Sequence, residues 1–212
     1  ISLNVSILPC EWNDHKLNIL DTPGYTDFVG EVKGAIRVAD GAIILIDAVA
    51  GVEVGTELAW SFAEQSNLPH FIFINKMDRE NANFGNVLEA LSEKFEANFV
   101  PFQMPIGSQS QFQGVVDLVN MKAYLGEKGE EGEIPTDLQA EVESARLRVI
   151  EAAVESEDEL IMKYLEGEEL APEEIKRGLR LGVRSGAIVP ILCGSATVNI
   201  GVQPLLQAII EY

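Results

Sequence analysis

Cysteine is scarce in this chain: Cys10 and Cys193 are the only two among 212 residues. Two thiols so far apart exclude a disulfide framework and fit reduced cysteines in a cytoplasmic protein; neither stands in a motif that marks a nucleophile. Basic residues are also few, 15 Lys and Arg against 34 Asp and Glu, and the net charge of −19 excludes a broad nucleic-acid surface built on phosphate neutralisation. Long apolar runs are missing. "AIILIDAVA" and "HFIFI" fall well short of the roughly 20 residues a membrane helix needs, and no basic segment leads into an apolar signal. The chain begins Ile-Ser-Leu without a Met, so it reads as a piece of a longer protein. Its length suffices for one well-buried core with an attached subdomain.

What is present is a rhythm of strands and helices. "ISLNVSILPCEWNDHKLNILD" alternates and breaks at Asn13-Asp14, which predicts two antiparallel strands ending at Asp21, with Trp12 and Leu17 packed. His15 lies beside that turn with no second ligand at metal spacing and reads as a solvated turn residue. Phe28, Val32, Ala35, Ile36 and Ala39 recur at three- and four-residue steps, one apolar helix face. "GAIILIDA" is expected to be a parallel strand covered on both faces. A helix through "TELAWSFAEQS", a second apolar run "HFIFIN" and a helix with Val87, Leu88, Leu91 and Phe95 inward follow. The alternation predicts an α/β, doubly wound, mostly parallel sheet whose ligands bind beyond the carboxyl ends of the strands.

The rhythm breaks from about Phe99 to Ser185, where short strand-like pieces ("GVVDLV", "KAYL"), an acidic loop and several helices appear. "TDLQ" at Thr136 to Gln139 suggests a capping box, with Leu138, Val142, Ala145 and Val149 as the stripe behind it. Pro172 suits a helix first turn and Gly186 a C-terminal cap. "AIVPILCGSA" then restores the buried-strand pattern, and "GVQPLLQAIIEY" closes as an amphipathic helix. The expected division is a partial core at 1–98, an inserted acidic α+β subdomain at 99–185, and the core's closing strand and helix at 186–212. Residues 126 to 174 hold 17 Asp and Glu against four Lys and Arg. Such a segment is either a set of solvated helix faces or a docking surface for a basic protein.

Three short motifs follow expected buried strands: Asp21 to Gly24, Asn75 to Asp78, and Gly194 to Ala196. "NKMD" is the most specific. Guanine presents a ring N–H and an exocyclic amine side by side, and the Asp78 carboxylate can accept from both, a pattern adenine does not offer. Asn75 would tie the loops together and reach the ring nitrogen, while the Lys76 stem would lie over the base. The bland alternative is a polar loop after a strand. In "DTPG", Asp21 would hold Mg²⁺ through water and the Gly24 amide would meet a γ-phosphate, with Thr22 and Pro23 in the same GTP-binding stretch. "GSA" would complete the base pocket through the Ser195 and Ala196 amides, although Gly-Ser is also a common turn.

These stretches, with "DTPGYTDFVGEV", "GAIILIDAVAGVEVGTELAW", "NKMDRENANF", "GVVDLVNMKAY", "IMKYLEGEE" and "PILCGSATVNIGVQPLLQAIIEY", resemble the GTPase domain of translation elongation factor G and its paralogues over nearly the whole chain. The resemblance implies a P-loop-NTPase-like fold with an insertion, GTP/GDP and Mg²⁺ as ligands, action on the ribosome, and a cytoplasmic, monomeric protein. It places Ser2, by spacing from Asp21, where the family's first switch carries a Mg²⁺-coordinating Thr. It also implies that the acidic insert faces the basic ribosomal stalk protein. A small-molecule-binding α/β protein with chance matches is the remaining alternative.

Two departures from the family pattern bear on activity. No G-x-x-x-x-G-K-[ST] loop occurs in the 212 residues; in the family it lies upstream of the position of residue 1, so these residues alone are expected to bind GTP weakly. Tyr25 stands where the family carries a His that orients the attacking water. A phenol donates one hydrogen bond but, unlike imidazole, gains no positive charge near neutral pH. Tyr25 thus marks a branch with altered turnover, a GTP-responsive binding module with little hydrolysis, or an aromatic that anchors the next helix.

Overall fold

The computed structural model describes residues 2–212. In chain order the elements are β1 (Ser6–Trp12), β2 (His15–Asp21), α1 (Val29–Ile36), β3 (Ala42–Asp47), α2 (Val54–Gln65), β4 (His70–Asn75), α3 (Phe84–Lys94), β5 (Phe99–Pro101), β6 (Gln103–Ile106), β7 (Gly114–Asp117), β8 (Lys122–Leu125), β9 (Glu130–Gly132), α4 (Gln139–Glu155), α5 (Asp158–Leu165), α6 (Pro172–Ser185), β10 (Val189–Cys193) and α7 (Val202–Glu211). β1 and β2 form the expected hairpin, paired from Ser6↔Asp21 to Trp12↔His15. Its turn is made by Asn13 and Asp14, both at positive φ (44° and 61°), the conformation a tight two-residue hairpin turn requires. The hairpin is held at its tip, where the Trp12 indole and the Asn13 amide both donate to Gln207 Oε1 of α7, at 3.2 and 2.7 Å.

The central sheet runs in the order β3-β4-β10-β5, and every pairing in it is parallel. Because side chains alternate across a strand, β4 sends Ile72 and Ile74 to one side, with Trp60 of α2 and Val87 and Leu91 of α3. It sends Phe71 and Phe73 to the other, with Leu179 and Val183 of α6 and Ala208 of α7. Helices therefore cover both sheet faces, the doubly wound arrangement expected from the alternation. Each of the Ile, Phe, Val and Leu side chains among these contributes about 1.5–3 kcal/mol by leaving water. β4 and β10 read as unbroken apolar runs because both their faces are covered.

β3 departs from the expectation of cover on both faces. Ile44 and Ile46 are buried, but Leu45 is 62% exposed and Ile43 38%. Among the described residues β3 pairs only with β4, at one edge of the sheet. The inserted region contains its own antiparallel sheet, β6-β7-β8-β9, and three helices, with β6 and β9 unheralded by the sequence. Phe99–Pro101 pairs with β10 in the central sheet, although the expected insert begins at Phe99.

Helix boundaries follow local chemistry. Glu53 caps α2 in a reciprocal box with Thr56. Pro172 occupies the first turn of α6, and Gly186 ends it at φ 76°. The capping box expected at Thr136 is corrected: α4 starts at Gln139, its cap residue Leu138 makes no side-chain cap bond, and the Leu138 amide is taken by the Pro135 carbonyl at 3.0 Å. That preceding turn occupies the residues the box would have used. The stripe behind it is as expected, with Val142 and Val149 fully buried. Both cysteines are free, and burial pushes the Cys193 thiol up, which leaves it unreactive. No helix of the described residues is long and apolar enough to cross a membrane.

Candidate functional site

The carboxyl ends of β3, β4 and β10 meet in one set of loops. The amides of Ala48 and Gly194 donate to the Asn75 and Ile74 carbonyls at 2.9 Å each, and the Met77 amide donates to the Gly194 carbonyl at 3.2 Å. These backbone bonds set "NKMD" and "GSA" side by side. Asn75 then joins them: its Oδ1 accepts from the Lys76 amide at 2.8 Å and from the Ala196 amide at 3.0 Å. The loop-tying role expected of Asn75 is therefore visible in its bonds. Lys76 holds φ at 64°, a conformation uncommon for a residue with a side chain and supported here by the Asn75 bond.

Asp78 receives the Ser195 hydroxyl on Oδ1 at 2.5 Å. Ser195 is fully buried, and its amide is already spent on the Ile200 carbonyl at 2.8 Å. The expectation that Ser195 acts through its amide is thus corrected: it reaches the site through its hydroxyl, which orients the Asp78 carboxylate. A carboxylate oxygen has two lone pairs, so Oδ1 can hold Ser195 and still serve a ligand.

One residue of this group was missed by the sequence reading. Asp47, the last residue of β3, pairs with the Lys76 ammonium at 2.5 Å and accepts the amides of Val49 and Ala50 at 2.8 and 3.3 Å. Burial pushes its carboxyl up, but Lys76 and the two amides together outweigh that and hold it below the usual range. A single acid closing a buried apolar run, at the strand end where ligands of such sheets bind, was the available signal. The pair draws the Lys76 stem across the loop set rather than leaving it free in solvent.

The other expected residues form a second group at the end of β2. Pro23 is buried and Thr22 half-buried, while Asp21, Gly24 and Tyr25 are exposed. A β-carbon placed on Gly55, in the first turn of α2, would lie 4.0 Å from the Gly24 carbonyl oxygen, and nothing would meet one on Gly24 itself. The backbone at Gly24 is accordingly open to a ligand. Ser2 donates to Asp21 Oδ2 at 3.4 Å, which brings together the two oxygen donors matched by spacing. Glu31 of α1 steadies that end by accepting the Val5 amide at 2.9 Å. Among the described residues no group of three or more His, Cys, Asp or Glu side chains gathers.

Tyr25 is 58% exposed. Its carbonyl accepts the Phe28 amide at 3.0 Å, so the backbone starts the turn into α1 while the ring points away from the packed core.

Residues 1–212 match the family described as the elongation factor Tu GTP binding domain. Elongation factor G of Thermotoga petrophila is 47% identical over 217 residues, covering 100% of this chain and 31% of that protein. Elongation factor G of Thermotoga maritima is 46% identical with the same coverage. A crystal structure from Thermus thermophilus superposes with a TM-score of 0.91 at 37% identity, over 99% of this chain and 32% of the other. The chain thus spans 31% of the length of the curated relatives it matches. With every residue inside the match, the chain belongs to the family of elongation factor Tu GTP-binding domains.

Proposed function

We propose that this chain is the guanine-reading part of an elongation-factor-G-like GTPase that acts on the ribosome and couples the state of the γ-phosphate to domain position. The observation that carries the proposal is the pair of bonds joining the two base-reading loops, Asn75 to the Ala196 amide and Ser195 to Asp78. They orient a carboxylate for the two adjacent donors of guanine, and Asn75 for its ring nitrogen. The Lys76 stem, drawn across the site by Asp47, supplies an apolar cover for the base plane.

At the phosphate end, the Gly24 amide meets the γ-phosphate and Asp21, with Ser2 beside it, offers oxygen donors. That set fits Mg²⁺, which binds one or two protein oxygens and completes its shell with water and nucleotide phosphates. When bound, the ion neutralises charge that develops on the phosphate oxygens. The 212 residues contain no G-x-x-x-x-G-K-[ST] loop, and full affinity requires residues beyond them.

Tyr25 sets the hydrolysis rate in this proposal. Its exposed phenol can donate to the attacking water but provides no cationic acid, and the loss of a positioned acid-base group costs about 10²- to 10⁴-fold. The test is single-turnover GTP hydrolysis by the full-length protein, with and without ribosomes, comparing the wild type with Tyr25→His. The variant is expected to be at least about tenfold faster on ribosomes. Equal, fast rates in both proteins would remove Tyr25 as a brake.

The acidic insert is proposed to dock the basic ribosomal stalk protein. The carboxylates from Glu141 to Glu174, most of them exposed, lie along α4, α5 and the start of α6 and the turns between them, and a contact made by such charges weakens as salt rises. Titrating the stalk protein's C-terminal domain at about 50 and about 300 mM salt is expected to show a clear loss of affinity. Binding that is absent, or the same at both, removes the assignment.

A further inference from the structure

The loop that carries Ser195 is braced from outside the central sheet. Between Gly194 and Gly201 the chain closes on itself, Ser195 and Ile200 exchanging two backbone bonds at 2.8 and 3.0 Å. Asn199 sits in that loop at φ 54°, the left-handed region that Asn tolerates better than most residues. Its side-chain amide donates to the Glu127 carbonyl at 3.0 Å, and Gln203, in the first turn of α7, donates to the same oxygen at 3.1 Å. Glu127 lies in the turn between β8 and β9 of the inserted region, closed by the Gly129 amide on the Gly126 carbonyl at 3.2 Å. The inserted region also holds the other base-reading loop, through the Gln109 amide on the Met77 carbonyl at 3.1 Å.

We infer that Asn199 and Gln203 are positioning residues for guanine recognition: by fastening the Ser195 loop to the β8–β9 turn, they fix the hydroxyl that orients Asp78. The inference rests on the guanine-reading proposal above. Its chemical consequence is selective. Two bonds from guanine to one carboxylate require the carboxylate plane to be aligned, whereas a single bond tolerates rotation. Hypoxanthine keeps the ring N–H but lacks the exocyclic amine, so it asks for only one. Loosening the brace should therefore weaken guanine binding more than hypoxanthine binding.

The test uses the full-length protein and measures dissociation constants for GDP and IDP by displacement of a fluorescent GDP analogue. In the double variant Asn199→Asp, Gln203→Met both donors are lost, while side-chain size is kept and Asp still accepts the left-handed backbone. GDP affinity is expected to fall about fivefold while IDP affinity changes by less than about twofold, so that the GDP-to-IDP ratio narrows. Glu127→Ala leaves the accepting carbonyl in place and is expected to leave both affinities as they are. Asn199→Asp alone gives the same reading, at smaller size, should the double variant fail to fold. An unchanged ratio overturns the inference, whether both affinities hold or both fall together, since a merely structural role moves them equally. A wild type that binds GDP no better than IDP would instead sink the guanine-reading proposal, and the inference with it.

Discussion

Asp78→Asn is expected to weaken GTP binding by the full-length protein about a thousandfold and to create comparable affinity for xanthosine triphosphate. The carboxylate accepts from two donors of guanine; an amide in its place turns one acceptor into a donor that faces the exocyclic amine. The lost charge-assisted bond and the unpaired polar groups together amount to about 4 kcal/mol, or three decades of affinity. Xanthine carries a carbonyl where guanine carries the amine, which restores a donor–acceptor match. Ser195 remains able to donate to the side-chain oxygen it holds at 2.5 Å, so the loop itself should stay in place. Competition between GTP and XTP for a fluorescent nucleotide reads both effects. GTP affinity within about twofold of the wild type would show that Asp78 does not face the base.

Gly201→Ala is expected to destabilise the protein by about 3 kcal/mol, lowering Tm by about 6–12 °C. Two costs add. Gly201 holds φ at 83°, and a β-carbon there would lie 2.5 Å from the Cys193 carbonyl oxygen and 3.0 Å from the Gly194 α-carbon. Those are backbone atoms of β10 and the base-reading loop, which cannot swing aside as a side-chain end does. Gly186→Ala is the control. Its φ of 76° is similar, but no atom lies within 4 Å of the added carbon, so only the conformational cost of about 1–2 kcal/mol remains. Thermal unfolding of both variants separates strain from collision; a Gly201→Ala that costs no more than Gly186→Ala would show that the loop can open.

The pairing of the two strand-end loops proposed to read the base was more legible in the sequence than the rest of the fold. "NKMD" and "GSA" each follow an apolar run, and such runs end at the ligand-binding edge of a parallel sheet; the Asn75 and Ser195 bonds join those two loops. Asp47 escaped because it belongs to no motif. Its role depends on β3 and β4 pairing with Asp47 opposite Asn75, a neighbour relation between residues far apart in the chain. Ser195 was expected to act through its amide, since the Ser195↔Ile200 bridge that consumes that amide is a property of the folded loop. Leu45 was expected to be covered for a related reason. An apolar run shows that a strand is fit for burial, but not which of its side chains the packed elements cover.

Local chemistry, then, determined by itself where the strands and helices fall, because periodicity, turn pairs such as Asn13-Asp14, and the backbone limits of Pro172 and Gly186 act within a few residues. It also determined which hydrogen-bonding groups the loops carry, since donor and acceptor patterns are fixed by residue type. Only the tertiary structure decided how those groups are held in place. Asp47 on Lys76, Ser195 on Asp78, and Asn199 and Gln203 on Glu127 are contacts between segments far apart in the chain. They form because the parallel pairing of β3, β4 and β10 brings those loops within hydrogen-bond reach, and a bond at that range has no signature until the sheet exists.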